Sequence, residues 1–418
     1  MSSNRSAKPR WILRHHAPAS IHALAFAGPR TRSRSGSACL LSGDGDGRVS
    51  LTDLRSYRPR AFWQAHSDII LTVAEHDGFI LTHGRDNTIK MWKERGDEDE
   101  AQETGVIGQT VAVRVELPIA ANLMASLPKP ECILTLEVNA LNYCSFALLK
   151  VKSASDQGSS SQRTVQPFLL AVPHTIETAW IDIYEMPAKK RIFEAIGRPS
   201  VVDRSNRPPI LMAVHLFYTP GSENQLSGDD VSTDVCLLAG YEDGTVSLRN
   251  LDLTSRKCQT LWSFKEHHEP VMALSLSPDF AFALSASADD RIVRYDLFPK
   301  EGQESPRPVS HKTQRQGKAS ITISEDSRIG VFGGWDGNVR IYDTHDFRPL
   351  AVLDYHKDTV QSVAFQIPSK AATVEEEEEE EESDSDDSDA QHSQQSPPHS
   401  LLACGCRDGR ISLWQLTF

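Results

Sequence analysis

ILTHGRDNTIKMW, from Ile80 to Trp92, reads as two short strands around a tight turn, with a carboxylate in the turn and an indole six residues later. Alternating apolar residues on either side of an Asp-Asn pair are a hairpin signal. The pattern returns in LLSGDGDGRVSLTDL (40–54), LLAGYEDGTVSLRNL (237–251), ALSASADDRIVRYDL (283–297), GVFGGWDGNVRIYDT (330–344) and LLACGCRDGRISLWQL (401–416). Each copy has an apolar strand ending in small residues, a turn with Asp, and an alternating strand bearing an aromatic residue or its substitute. The turn carboxylates are Asp46, Asp86, Asp243, Asp289, Asp336 and Asp408. Steps of 40, 46 and 47 residues between neighbours suit a four-stranded unit repeated around a ring.

The long gap between Asp86 and Asp243 hides a further unit. VNALNYCSFALL (138–149), FLLAV (168–172) and AWIDIYEM (179–186) read as its first three strands, without a turn Asp. Six clear units and one degenerate unit make seven. A second recurrence precedes the first strands: His66 lies four residues before Ile70, His267 four before Val271 and His356 four before Val360, with His16 one residue further out. This spacing and the turn Asp together resemble WD40 repeats over nearly the whole chain. The fold class is therefore read as all-β, a seven-bladed WD40 β-propeller. RWILR (10–14) is a spare strand, and RISLWQLTF reads as the third strand of its blade; pairing them closes the ring and removes an open edge.

One domain over 10–418 is expected, with blades at about 15–63, 64–137, 138–196, 208–264, 266–312, 316–353 and 354–418, the last joined by 10–14. Residues 370–399 are expected to be a disordered acidic insert within that last blade. In the WD40 pattern, His, a hydroxyl, the turn Asp and an indole form one hydrogen-bonded tetrad, which satisfies polar groups inside a sheet. The matching residues are His66, Thr82, Asp86 and Trp92 in blade two, and His267, Ser285, Asp289 and Tyr295 in blade five. Blade seven has His356, Asp408 and Trp414, with Cys404 at the hydroxyl position. Repetition around a ring is the mark of a structural device, so these residues are read as structure and no catalytic residue is assigned.

The formal net charge of −13 is concentrated. Eight consecutive Glu from Glu375 and then Asp384, Asp386, Asp387 and Asp389 account for nearly all of it. Such a run is solvated and self-repelling, serving either as a variable loop or as electrostatic bait for basic partners. Ser383, Ser385 and Ser388 among those acids suit an acid-directed kinase. The remainder is nearly neutral and gives no reason to expect direct nucleic-acid binding. Seven scattered Cys suggest reduced thiols in an intracellular protein, the amino terminus has no apolar signal core, and no run of eighteen apolar residues suggests a membrane span. Cys404 and Cys406 have no second thiol pair nearby, so no metal is expected, and no phosphate-binding glycine loop points to a cofactor. Further loops are expected at 28–37, 94–105, 153–163, 221–230 and 299–308.

The residue before each turn Asp lies on the loop edge of the ring, where propellers meet partners: Gly45, Arg85, Glu242, Ala288, Trp335 and Arg407. Trp and Arg are common interface anchors, so Arg85, Trp335 and Arg407 are the candidate partner-binding face. The plainer alternative is a turn Trp that covers its neighbouring blade.

LTHGRDNTIKMW, VNALNYCSFAL and LLAGYEDGTVSL, in that order around a degenerate third blade, resemble the ASTRA-associated protein 1 family of fungal WD-repeat subunits. The resemblance spans the chain apart from the acidic insert. It implies a non-enzymatic scaffold subunit of the ASTRA complex, working in the nucleus and also in the cytoplasm, as a chromatin regulator or in the maturation of phosphatidylinositol-3-kinase-like kinases. The partners it implies are a kinase-like scaffold, TTT co-chaperone proteins and RuvB-like ATPases, with no membrane. The alternatives are a Gβ-like signalling propeller or a ubiquitin-ligase substrate receptor. Against these, WKER (92–95) and TDLR (52–55) each lack part of the adaptor-docking motif, and only ten residues precede the first strand.

Overall fold

The computed structural model describes residues 8–28, 38–94, 127–151, 165–199, 207–219, 234–299, 306–366 and 400–416. The acidic stretch at 370–399, the loops at 153–163 and 221–230, and most of those at 28–37, 94–105 and 299–308 lie outside them. Regular structure among the described residues is all β. After β1 (Trp11–Leu13), blade one comprises β2 (Ile21–Phe26), β3 (Cys39–Asp44), β4 (Arg48–Asp53) and β5 (Arg58–Gln64). Blade two is β6 (Ile70–His76), β7 (Phe79–Gly84), β8 (Thr88–Lys93) and β9 (Glu131–Glu137). Blade three is β10 (Ala147–Lys150), β11 (Phe168–Pro173), β12 (Ile181–Met186) and β13 (Lys190–Ile196). Blade four is β14 (Leu211–Tyr218), β15 (Asp234–Tyr241), β16 (Thr245–Asp252) and β17 (Lys257–Lys265). Blade five is β18 (Val271–Leu276), β19 (Phe282–Ser287), β20 (Arg291–Asp296) and β21 (Val309–Lys312). Blade six is β22 (Lys318–Ile323), β23 (Ile329–Gly334), β24 (Asn338–Asp343) and β25 (Pro349–Asp354). Blade seven contains β26 (Val360–Phe365), β27 (Ser400–Cys406) and β28 (Ile411–Leu416).

Each blade is an antiparallel meander of four strands, here called a to d from the channel outward, and the seventh is completed by β1. Trp11 pairs with Leu413, Ile12 with Ser412 and Leu13 with Ile411. The Arg10 amide extends the ladder to the Leu413 carbonyl at 2.8 Å. The N-terminal strand thus closes the seven-bladed ring as the pairing of leftover strands predicts.

Burial explains the sequence pattern within a blade. Strands b such as β7, β19 and β23 are buried along their whole length, because both faces meet a neighbouring blade. Strand d of blade four, β17, is exposed over most of its length. Seven apolar clusters fill the boundaries between blades. The one at the closure joins Leu13, Ala403, Ile411 and Leu413 to Ile21, Leu24 and Leu40 of blade one. Burying one such leucine contributes roughly 1.5–3 kcal/mol, so the short closing strand also seals a core.

Strands a of six blades carry a β-bulge near their start, for example between Ile70 and Thr72, and between Val360 and Ser362. The pairing of β10 with β11 in blade three has no such shift. Here VNALNYCSFALL, expected as one strand over 138–149, is strand only from Ala147. Asn139 and Asn142 turn their carboxamides onto neighbouring backbone, and Tyr143 has a φ of +59°. Asn139 Oδ1 also accepts the Leu141 amide at 3.2 Å, and a short amide side chain that bonds locally competes with a ladder, so 138–146 becomes a shaped connection.

Candidate partner-binding face

The antiparallel meander puts every d-to-a connection and every b-to-c turn on one face of the ring. In blade two this juxtaposition builds a complete tetrad. His66 Nδ1 lies 2.9 Å from Asp86 Oδ1, His66 Nε2 lies 2.7 Å from Thr82 Oγ1, and Trp92 Nε1 donates to that hydroxyl at 2.8 Å. Asp86 also accepts from the Ser67 amide at 3.1 Å and the Thr88 hydroxyl at 2.7 Å. Burial alone pushes the Asp86 carboxyl up, but hydrogen bonds from Thr88 and His66 outweigh it and leave the group below the usual carboxylate range. Burial moves His66 the other way, below an ordinary imidazole, and Asp86 offsets part of this. At the turn, Asn87 has a φ of +63°, where Gly47, Gly337 and Gly409 stand in other blades. Asn tolerates this left-handed conformation, and here its Oδ1 also accepts the Ala140 amide of blade three at 3.1 Å.

In blade five, His267 Nδ1 lies 2.9 Å from Asp289 Oδ2, and its Nε2 lies 2.6 Å from Ser285 Oγ. Burial raises the Asp289 carboxyl, yet bonds from His267 and the Arg291 amide bring it down to about 2. Tyr295 takes the aromatic position, its buried hydroxyl facing Ser285 without the close hydrogen bond that Trp92 makes in blade two. Its ring stacks on Trp262, with centroids 5.7 Å apart. In blade seven, His356 Nδ1 lies 2.9 Å from Asp408 Oδ2. The hydroxyl comes from Ser412, 2.8 Å from both His356 Nε2 and Trp414 Nε1. Ser412 pairs with Cys404 across the ladder, so strand c supplies what strand b lacks.

Blade one departs from its expected turn residue. Asp44, not Asp46, holds His16 Nδ1 at 2.8 Å, while Ser42 meets Nε2 at 2.8 Å. Asp44 occupies the position of Gly84 in blade two, fully buried, and Arg48 donates to it at 2.7 Å. Asp46 stays exposed beside Arg48. Blade four uses a different polar set, in which Arg249 donates to Tyr241 Oη at 2.9 Å and to Ser247 Oγ at 2.7 Å.

His356, Cys406 and Asp408 bring ligand-type atoms within 4.8 Å of one another. All three are already engaged: the Cys406 thiol donates to the Asp358 carbonyl at 3.1 Å and accepts the Asp408 amide at 3.4 Å. Burial pushes that thiol up to about 12, so the cluster suits a protonated hydrogen-bond network.

The six residues before the turn carboxylates share one contact. Gly45, Arg85, Glu242, Ala288, Trp335 and Arg407 donate their amides to the residue preceding strand a of their own blade, at 2.8–3.2 Å. All six positions therefore stand at the inner rim of the same face. Of the three candidate partner-binding residues, Trp335 is 47% exposed, Arg407 is exposed and Arg85 is half-buried. Trp335 and Arg407 are linked: Thr359 Oγ1 donates to the Trp335 carbonyl at 3.5 Å, and the Arg407 amide donates to the Thr359 carbonyl at 3.0 Å. Arg85 stands apart, with its guanidinium 4.5 Å over the ring of Tyr143 in blade three.

Two sets of residues on this face escaped sequence reasoning. Blade three exposes Leu141, Tyr143 and Ile176, in the connections around its first and second strands. Exposed apolar side chains on loops have no periodicity to reveal them. Blade three also ties its connections without a His–Asp pair. Asn139 Nδ2 donates to the carbonyls of His174 and Thr175 at 3.2 Å, and His174 Nδ1 accepts the amides of Ile176 and Glu177 at 3.2 and 3.1 Å.

Seven four-stranded sheets, tetrads of this geometry and an N-terminal closing strand define a WD-repeat β-propeller. The model of the WD domain, G-beta repeat, matches residues 258–296. ASTRA-associated protein 1 of Verticillium alfalfae is 31% identical over 98% of this chain and 92% of its own length. Its namesake from Aspergillus niger is 30% identical over 98% and 97%. The guanine nucleotide-binding protein subunit beta-like protein 1 of Mus musculus is 26% identical over 98% and 96%. The chain belongs to the ASTRA-associated protein 1 family.

Proposed function

We propose that the protein is a non-catalytic scaffold subunit of the ASTRA complex, acting in the nucleus. In this reading it holds a kinase-like scaffold, TTT co-chaperone proteins and RuvB-like ATPases together, in chromatin regulation and in the assembly of phosphatidylinositol-3-kinase-like kinases. The observation that carries it is full-length similarity to proteins named for association with ASTRA, on a fold whose turn face presents Trp335 and Arg407 to solvent. A scaffold role also accounts for the buried His and Asp residues. Those of blades one, two, five and seven are held by hydrogen bonds between connections of their own blade. Affinity purification of the tagged full chain from nuclear extract, followed by mass spectrometry, tests the reading. Recovery of RuvB-like ATPases with TTT proteins is expected. Recovery of a ligase adaptor or a Gγ subunit in their place would overturn it.

A further inference from the structure

On the turn face of blades six and seven, one half-exposed aromatic ring shares its connections with exposed cations that lack carboxylate partners. The indole of Trp335 rests on the backbone of Gly317, whose φ is +75°, and a Cβ at Gly317 would overlap that ring. The loop beneath is fixed rather than loose. Thr313 Oγ1 and Lys318 Nζ both donate to the Arg315 carbonyl, at 2.9 and 3.2 Å, and the Trp335 amide donates to Gly317 at 3.0 Å. The connections and turns that touch Trp335 carry three exposed cations: Arg315, two residues before Gly317; Lys357, two before Thr359; and Arg407, whose charge also reaches His22 of blade one. None of these three has an ion-pair partner among the described residues.

The nearby carboxylates are already committed. Asp336 takes two bonds from Arg340, at 3.0 and 2.6 Å, and Asp408 is bound to His356. Asp290 pairs with Lys312 at 3.3 Å, while Asp358, exposed beside Lys357, accepts the Thr359 amide at 2.6 Å and offsets one of the three cations. Net positive charge is therefore left over on this sector, beside a flat apolar surface. Arg85 faces a different environment, with its charge laid on Tyr143.

We propose that the blade six and seven sector docks an acidic polypeptide segment, whose apolar side chain packs on Trp335 while flanking carboxylates pair with Arg407, Arg315 and Lys357. This deepens the scaffold reading and rests on it for the role of the face, though not for the chemistry of the segment. Arginine can hold a carboxylate by two parallel hydrogen bonds, and a rigidly seated Trp offers contact area at little entropic cost.

Fluorescence anisotropy of the full chain, with a labelled dodecapeptide of Glu and Asp flanking a central Phe-Leu pair, provides the test. Trp335→Ala and Arg407→Glu are each expected to weaken binding about tenfold or more, while Lys190→Glu, at an exposed cation on the outer strand of blade three, leaves it unchanged. Binding should fall with added salt, and a peptide with Lys in place of the acids should not bind. Thermal melts of all three variants keep a loss of binding separate from a loss of fold. Unchanged affinity in Arg407→Glu would overturn the proposal, as would an equal loss in Lys190→Glu or equal binding of a single-stranded oligonucleotide of matched charge. If the full chain captures the ASTRA subunits but not the peptide, this inference fails and the scaffold reading stands. If it binds the peptide as described but captures no such subunits, the scaffold reading fails and the docking chemistry stands.

Discussion

Blades two and three lie side by side and solve one problem with different chemistry. Both must tie the connection entering strand a to the turn leaving strand b. Blade two does so with an imidazole and a carboxylate, His66 and Asp86, backed by Thr82 and Trp92. Blade three uses a carboxamide on carbonyls, Asn139 to His174 and Thr175, and gives the turn-capping task to the ring of His174. The first lock involves an ionised acid in a partly buried site, and the second has no carboxylate in it. What the fold requires at this point is a filled hydrogen-bond inventory between two loops; a His–Asp pair is one way to supply it.

The sharpest test is to remove the central side chain of each lock. Asp86→Ala strands His66, the Ser67 amide and the Thr88 hydroxyl, and is expected to cost about 3 kcal/mol. Asn139→Ala frees the carbonyls of buried His174 and of exposed Thr175, and is expected to cost about 2 kcal/mol. Urea titration of both variants measures the order, and a larger loss at Asn139 would reverse the comparison.

The boundary between the two blades should be sensitive to acid. His83 in β7 is fully buried, near Phe146 of blade three, with neither ring nitrogen hydrogen-bonded among the described residues. Burial, with a smaller contribution from His66, lowers its folded-state value to about 3 from an ordinary 6.5. The unfolded chain then takes up a proton that the folded chain refuses. The associated stability is present above pH 6.5 and drains away as pH falls toward 3, by about 2 kcal/mol at pH 5. His83→Leu should therefore stabilise the protein more at pH 5 than at pH 8. Paired melts at the two pH values check this, and equal shifts would remove His83 as the cause.

Smaller effects belong to the aromatic ends of the tetrads. Trp92→Phe loses the bond to Thr82 Oγ1 and should cost about 1 kcal/mol beyond the lost packing. Tyr295→Phe removes a hydroxyl that faces Ser285 without a close hydrogen bond, so it should cost less than Trp92→Phe. Denaturation midpoints of the two variants, measured together, separate an indole that bonds closely from a phenol that mainly stacks.

These contrasts also show what a linear reading can see. Spacing along one strand exposed the repeat, the seven units and the closing strand, because each follows from periodicity that survives in the chain order. The same spacing chose Asp46 over Asp44, since an Asp in the turn resembles its counterparts while an Asp two residues earlier looks like strand. Ser412 was hidden for a related reason: it stands opposite Cys404 on the neighbouring strand, and a partner across a ladder leaves no mark in local spacing. Blade three was found as strands but not as a lock, because Asn139 and His174 exchange the usual roles of imidazole and acid. Trp335 and Arg407 shared a register position that was legible. Their coupling through Thr359 depends on how two adjacent blades abut, which only the assembled ring displays.

The pairing of Trp11–Leu13 with Ile411–Leu413 has a consequence for biosynthesis. Trp11–Leu13 has to stay unpaired until its partner, Ile411–Leu413, has been made. At typical synthesis speeds of 5–20 residues per second, that interval is roughly 20–80 s. Throughout it the nascent polypeptide carries an unsatisfied strand at one end and a growing arc of sheets behind it. A ribosome that stalls before Ile411 therefore releases an open arc prone to sticking, so cellular yield of this protein depends on uninterrupted translation from one paired strand to the other.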